Sequence, residues 1–239
     1  MRNMVAGGLL ALLLLAGCAP TSVEPGLMQA VKRVAVFSAI GDRFAIKKLG
    51  ITVFQNDLKE MPIESWGIDD FVLGKVRSVL NGRFETRPAG FTRAGFDTTG
   101  NNFTQIADAV RAQARGSDVD AYIIVTKGSS QLAGTNQGVY GLGLLERSGL
   151  GSPAVDLYAL YWITVVDGRR FTVIANSPAY PLSETVLSMK VIRGPSRELD
   201  TSWMPQTLDA GQNLRLKSAL MDLLDRNLPG TVAALKLTP

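Results

Sequence analysis

Apolar residues recur along this chain in two periods, and from Val31 onward the periods alternate in a regular order. VKRVAVFSAIG (31–41) alternates and then runs apolar through Val34, Ala35, Val36 and Phe37, which predicts a buried central strand ending in a glycine turn. A second β-rich piece covers 44–54 and is interrupted by Gly50, and 56–66 reads as a polar connection containing Pro62. Val72, Leu73, Val76, Val79 and Leu80 then recur at three- and four-residue spacing. They predict a helix with Asp69 as N-cap, Asp70 in its first turn and Asn81-Gly82 as its exit. RFETR (83–87) alternates like a short strand, and 88–100 is a loop rich in Gly and Thr. Asn102 or Thr104 caps a second helix over 103–115, whose inner face is Ile106, Ala109, Val110 and Ala114. The apolar run at 122–125 then marks a strand over 118–126. Strand, helix, strand, helix, strand at this spacing predicts an α/β (or α+β) fold, a mixed sheet with helices packed on it.

The second half is less regular. Seven glycines fall between Gly128 and Ser152, interleaved with Leu132, Val139, Tyr140, Leu142, Leu144 and Leu145. A phosphate cradle needs a helix directly behind the glycines, and the lysine and hydroxyl of a P-loop are absent from Gly-Leu-Gly-Leu-Leu. Two readings stay open: a loose hairpin or insertion, or an exposed apolar loop in which Val139, Tyr140, Leu142, Leu144 and Leu145 contact a partner or the bilayer. Segments 155–166 and 171–175 flank Asp167-Gly168 as a hairpin, and the first of them is apolar enough to be buried on both faces. Tyr158, Tyr161 and Trp162 in it are read as core residues rather than a stacking platform. Residues 176–208, with four prolines, are expected to wrap the surface, with Trp203 as an anchor. Asn213 caps a last helix over 214–227, which Pro229-Gly230 ends.

The amino-terminal pattern differs from all of this. Arg2 supplies a positive charge, 5–15 an apolar run, and Leu15-Ala16-Gly17-Cys18 a small-residue cleavage point. The run is too short to span a bilayer, which takes about 20 apolar residues. These residues resemble the lipobox of bacterial lipoprotein signal peptides. The resemblance implies cleavage before Cys18, diacylation of its thiol (palmitate-type chains) and a third chain on the new amino group. Ala19 rather than Asp after Cys18 implies sorting to the outer membrane, facing the periplasm, in a two-membrane cell. The expected organisation is a signal peptide over 1–17, a lipidated tether over 18–30 and a single α/β periplasmic domain over 31–239. A flexible tether of that length would span about 20 Å.

Composition narrows the chemistry. The 239 residues contain no histidine, and Cys18 is the one cysteine. Ser-His-Asp and Cys-His nucleophilic sites and the usual zinc sites are therefore excluded. The net charge of +4, or +3 without Arg2 (24 basic against 21 acidic side chains), is too mild and too evenly spread to indicate nucleic acid. No cofactor and no metal site is expected. Candidate chemistry is confined to Asp42 and Arg43 after the first strand, and to Asp69 and Asp70, each of which a turn or a helix start also explains. A carboxylate-dependent hydrolase would need Asp42, Asp69 and Asp70 to converge in one cleft.

The layout over 31–176 is similar to the α/β domain of curli-secretion lipoproteins and to the amino-terminal domain of TolB-like periplasmic proteins. It carries no diagnostic motif and so transfers no functional residue. It implies an envelope-machinery or scaffold role. The expected function is a membrane-anchored, non-catalytic binding or assembly module of the cell envelope with a protein partner. The alternative is a binder of a small ligand or glycan at the strand carboxyl ends.

Overall fold

The structure, a computed structural model, describes residues 22–50, 53–97, 102–114, 118–132, 135–147, 154–179 and 191–237. In chain order its elements are β1 (Ser22–Val23), α1 (Pro25–Gln29), β2 (Arg33–Ser38), β3 (Arg43–Leu49), β4 (Asp57–Pro62), α2 (Ile68–Leu80), β5 (Glu85–Pro88), α3 (Phe103–Gln113), β6 (Ala121–Lys127), β7 (Ser129–Gln131), β8 (Gly138–Tyr140), β9 (Leu142–Arg147), β10 (Ala154–Ala159), β11 (Tyr161–Asp167), β12 (Val173–Pro178), β13 (Ser196–Leu199) and α4 (Leu214–Ala234). Six strands form one sheet in the order β1-β12-β11-β6-β2-β5, five form a second in the order β13-β10-β9-β3-β4, and β7 pairs with β8. Both sheets are mixed. In the first, β2 runs parallel to β5 and β6; in the second, β3 runs parallel to β9.

The alternation read from the sequence sets the layers. Val34 and Val36 of β2, Ile123 and Val125 of β6, and Ile163 and Val165 of β11 point to one face. There they meet Phe44, Leu144 and Leu157 from the second sheet and the apolar stripes of α2 and α4. Ala35, Tyr122, Ile124 and Val166 point the other way, onto Ile106 and Val110 of α3 and onto Phe96. The sheets and helices share this continuous core, so the chain is one α/β domain with helices packed on mixed sheets.

Three chain segments turn at the junction between the sheets, and their backbones hold one another there. Gly128 N–H donates to Leu160 C=O at 2.9 Å, Leu160 N–H to Gly141 C=O at 2.7 Å, and Gly141 N–H to Gly128 C=O at 2.9 Å. The bend at Leu160 divides the expected single strand over 155–166 into β10 and β11, which belong to different sheets. Uniform hydrophobicity concealed this break, because Leu157 to Tyr161 are all buried.

The glycine-rich stretch is the largest departure from the sequence reading. Of the two readings, the exposed loop is not seen: β7 (129–131) pairs with β8 (138–140) as a short hairpin, and 142–147 is β9, a central strand of the second sheet. Val139, Leu142, Leu144 and Leu145 are buried and Tyr140 is half-buried, so the apolar side chains expected to meet a partner are core. Gly143 permits it. A Cβ there would lie 2.3 Å from Ala45 O and 2.5 Å from Tyr158 Oη, which packs across the strand. A glycine inside a strand that marks a close approach has the same composition as a loop glycine, and only the neighbours tell them apart.

Other boundaries moved for identifiable reasons. Residues 57–62, expected as connection, form the edge strand β4; only Met61 of it is buried, so it shows no alternation. The last helix runs through Pro229 to Ala234, because Leu228, Thr231 and Val232 continue its buried face past the proline. The expected tether is largely folded: Ser22 and Val23 pair with Asn176 and Ala175, and Met28 of α1 is buried. Elements of two and five residues are too short for periodicity to reveal. Cys18 and residues 19–21 lie outside the described residues, as do 1–17. Among the described residues no helix is long and apolar enough to cross a membrane.

Asp120 clamps the amino ends of the two parallel strands. Its Oδ2 accepts from the backbone N–H of Arg33 at 2.9 Å and of Lys32 at 3.0 Å, and Arg33 Nη2 lies 3.7 Å from Oδ1. The Arg33 backbone donor, then that of Lys32 and the Arg33 charge, hold its carboxyl below the ordinary carboxylate value.

Two outcomes are expected. Gly143→Ala should lower stability by about 2 kcal/mol or more in urea unfolding through overpacking. Gly138→Ala, in the same glycine-rich stretch, should cost less, since a Cβ there meets nothing nearer than Ser130 O at 3.4 Å. For Asp120, a depressed folded-state pKa means a contribution fully present above the unfolded value of about 4 and lost as pH falls through the folded value. Asp120→Asn should therefore lower stability at pH 7 and flatten its decline between about pH 5 and 2, read by unfolding across that range.

Candidate functional site

Five charged side chains converge where β2 and β6 end. β2 delivers Ser38 and then the turn Ala39-Ile40-Gly41-Asp42, β6 ends on Lys127, α2 opens with Asp69, and the segment after β5 contributes Arg93 and Asp97. Lys127 is buried, and its Nζ lies 2.8 Å from both Asp42 oxygens and 3.2 Å from Asp97 Oδ1. Arg93 bridges the carboxylates: Nη1 is 3.4 Å from Asp42 Oδ1, and Nη2 pairs with Asp69 Oδ2. Burial, and after it the charges of Asp97 and Asp42, push the neighbouring Tyr140 hydroxyl well above its ordinary pKa.

Asp69 has a role that its sequence position disguised. The helix starts two residues earlier than expected, and Gly67, left-handed at φ 65°, stands at the N-cap in place of Asp69. Asp69 Oδ1 turns back to accept from Ser38 Oγ at 2.7 Å, Ile40 N–H at 2.9 Å and Gly41 N–H at 3.1 Å. One carboxylate thus satisfies the backbone donors of the turn after β2. The turn must pass close to α2 for this, and Gly41 allows it: a Cβ there would sit 2.9 Å from both Asp69 N and Ile68 Cβ.

Asp42 and Asp69, far apart in the sequence, are therefore brought together through Arg93. Asp69 and the exposed Asp70 line a cleft of about 190 Å³ with Gly41, Glu64, Gly67 and Arg93, and Asp42 is not part of that lining. Arg43 points away and pairs with Glu60 at 3.4 Å. Sequence reasoning missed Lys127, Arg93 and Asp97. Lys127, the last residue of an otherwise apolar strand, was the one of the three with a readable signal. Among the described residues no three acidic side chains are grouped to hold a metal ion. The cleft offers one guanidinium edge beside exposed carboxylates at a strand carboxyl end, groups that can orient a small polar ligand.

The aromatic residues of 155–166 separate. Tyr158 and Tyr161 are fully buried, and Tyr161 Oη lies 3.1 Å from Thr231 Oγ1. Trp162 is half-buried with its ring against Phe103, centroids 5.1 Å apart. Trp203 packs on the core as expected, with the Arg215 guanidinium 3.5 Å over its ring. It borders a second cleft, of about 340 Å³, between 202–207 and the start of α4.

No family model matches the chain, and no curated protein matches it. Among solved structures it is similar to a dodecameric PelC variant from Paraburkholderia phytofirmans. The two share 10% identity with a TM-score of 0.31, over 87% of this chain and 89% of that one. A likeness of that size leaves the site to be read from this chain's own residues.

Lys127→Met removes the buried cation but keeps its stem. It leaves Asp97 without its lysine and Asp42 with Arg93 alone, and should cost about 3 kcal/mol in urea unfolding. Adding Asp42→Asn should restore part of that loss, as the carboxylate left with Arg93 alone is then gone.

Proposed function

We propose that this protein is a lipid-anchored, non-catalytic binding or assembly module of the bacterial envelope, held through Cys18 on the outer membrane and facing the periplasm. The observation that carries the reading is the lipobox Leu15-Ala16-Gly17-Cys18, in which the sole cysteine of the chain stands at the acylation position. Two features are consistent with it. The absence of histidine removes the commonest nucleophilic sites, and the carboxylates that converge at the strand ends are neutralised by Lys127 and Arg93 rather than left as free bases.

Val139, Leu142, Leu144 and Leu145 are buried and so offer little surface to the proposed partner. An exposed alternative is the β4 side of the second sheet, an edge strand with no further strand paired to it among the described residues, where Leu58 is exposed, as is Phe54. A second reading is supported by the cleft at Asp69, Asp70 and Arg93: binding of a small polar ligand or glycan at the strand carboxyl ends.

The anchor is tested by Cys18→Ser. Wild-type protein should incorporate labelled palmitate and sediment with membranes, and the variant should do neither. Palmitate-free wild type in the soluble fraction would overturn the reading. For the ligand, thermal-shift screening with amino acids and neutral and acidic sugars should give a shift that Arg93→Ala abolishes.

A further inference from the structure

The folded amino terminus fixes which end of the domain lies nearest its anchor. Ser22 pairs with Asn176 and Val23 with Ala175, antiparallel to β12. Glu24 N–H extends the pairing to Ile174 O at 2.8 Å. The amino end of β1 is therefore aimed toward the end of the sheet where β12 finishes at Pro178. Four peptide steps separate Ser22 from Cys18, a reach of at most about 14 Å.

That same end carries an aromatic pair. Pro178 stands opposite Trp162, and Trp162 opposite Thr126, so Trp162 is two rows beyond that of Ser22, Asn176 and Thr164. Strands are spaced about 4.8 Å apart, which puts the row's β11 position about 10 Å from that of β1. Trp162 is half-buried against Phe103, also half-buried, at the start of α3. Exposed Arg193 lines a shallow pocket with Trp162, Leu160 and Pro178. The Trp203 cleft is built from different elements, the 202–207 segment and the start of α4.

We infer that the end of the six-stranded sheet formed by Pro178, Trp162 and Phe103 is the face with which the anchored domain lies against the bilayer. The inference rests on the lipid-anchor reading above. A half-buried tryptophan with a polar N–H suits the membrane–water interface, and an adjacent arginine suits anionic head groups. The anchor supplies the membrane affinity, and the absence of a long flexible tether supplies the orientation.

The experiment uses full-length protein purified from membranes, with acylation of Cys18 checked by intact mass. It is reconstituted in phosphatidylethanolamine–phosphatidylglycerol vesicles with brominated acyl chains. Trp66 is buried and serves as a constant background. Vesicle binding should quench tryptophan emission in Trp203→Phe protein, whose accessible indole is Trp162, and leave Trp162→Phe protein nearly unquenched, a difference of at least about twofold. A bimane label on Arg193→Cys, which leaves the aromatic pair intact, should be quenched as well. Acylated, vesicle-bound protein in which the two variants quench equally, or in which the Arg193→Cys label is unquenched, overturns the inference and leaves the anchor standing. Protein without acyl chains on Cys18 overturns the anchor reading and the inference with it.

Discussion

Three backbone hydrogen bonds among Gly128, Gly141 and Leu160 hold the fold together at its corner. Each segment gives its N–H to one neighbour and its C=O to the other, so three chain turns that would each bury unpaired polar groups satisfy one another. Because of this, the chain can leave one sheet and enter the other without a loop between β10 and β11. The shared core beneath α2 and α4 follows from that continuity, since the inner faces of both sheets turn toward the same helices.

The charged cluster lies beside the corner for a related reason. Where β2 ends and the chain turns into β3, backbone donors are released from the ladder, and Asp69 receives two of them. Lys127, the last residue of β6 before the bend at Gly128, has no room to reach solvent and is compensated by Asp42 and Asp97. Burying such charges is tolerable only when they are paired. The cluster is therefore first a structural device that joins four segments, and the cleft of Glu64, Asp70 and Arg93 is its solvent-facing margin.

The folded amino terminus bears on the proposed lipid anchor. A flexible tether behind such an anchor would let the domain tumble some 20 Å from the membrane. With β1 paired to β12, the chain is committed to the fold four steps after Cys18, so that under the proposed anchor the domain itself sets the orientation.

Much of the layout was determined by the sequence alone. The periodicities of 72–80 and 103–115 require α2 and α3, because only a helix puts those positions on one side, and the apolar runs within 31–41 and 122–125 require strands buried on both faces, β2 and β6. The missing histidines and the single cysteine limit chemistry in any fold. Tertiary structure decided what composition leaves ambiguous. Gly143 in a packed strand and a glycine in a loop are the same residue until Tyr158 lies across one of them. Leu160 in a bend and Leu157 in a strand are equally buried, so hydrophobicity has no record of the corner. Lys127 and Arg93 became partners of Asp42 only when residues 30 or more positions apart in the chain were folded to within hydrogen-bonding range, a juxtaposition that no local pattern encodes.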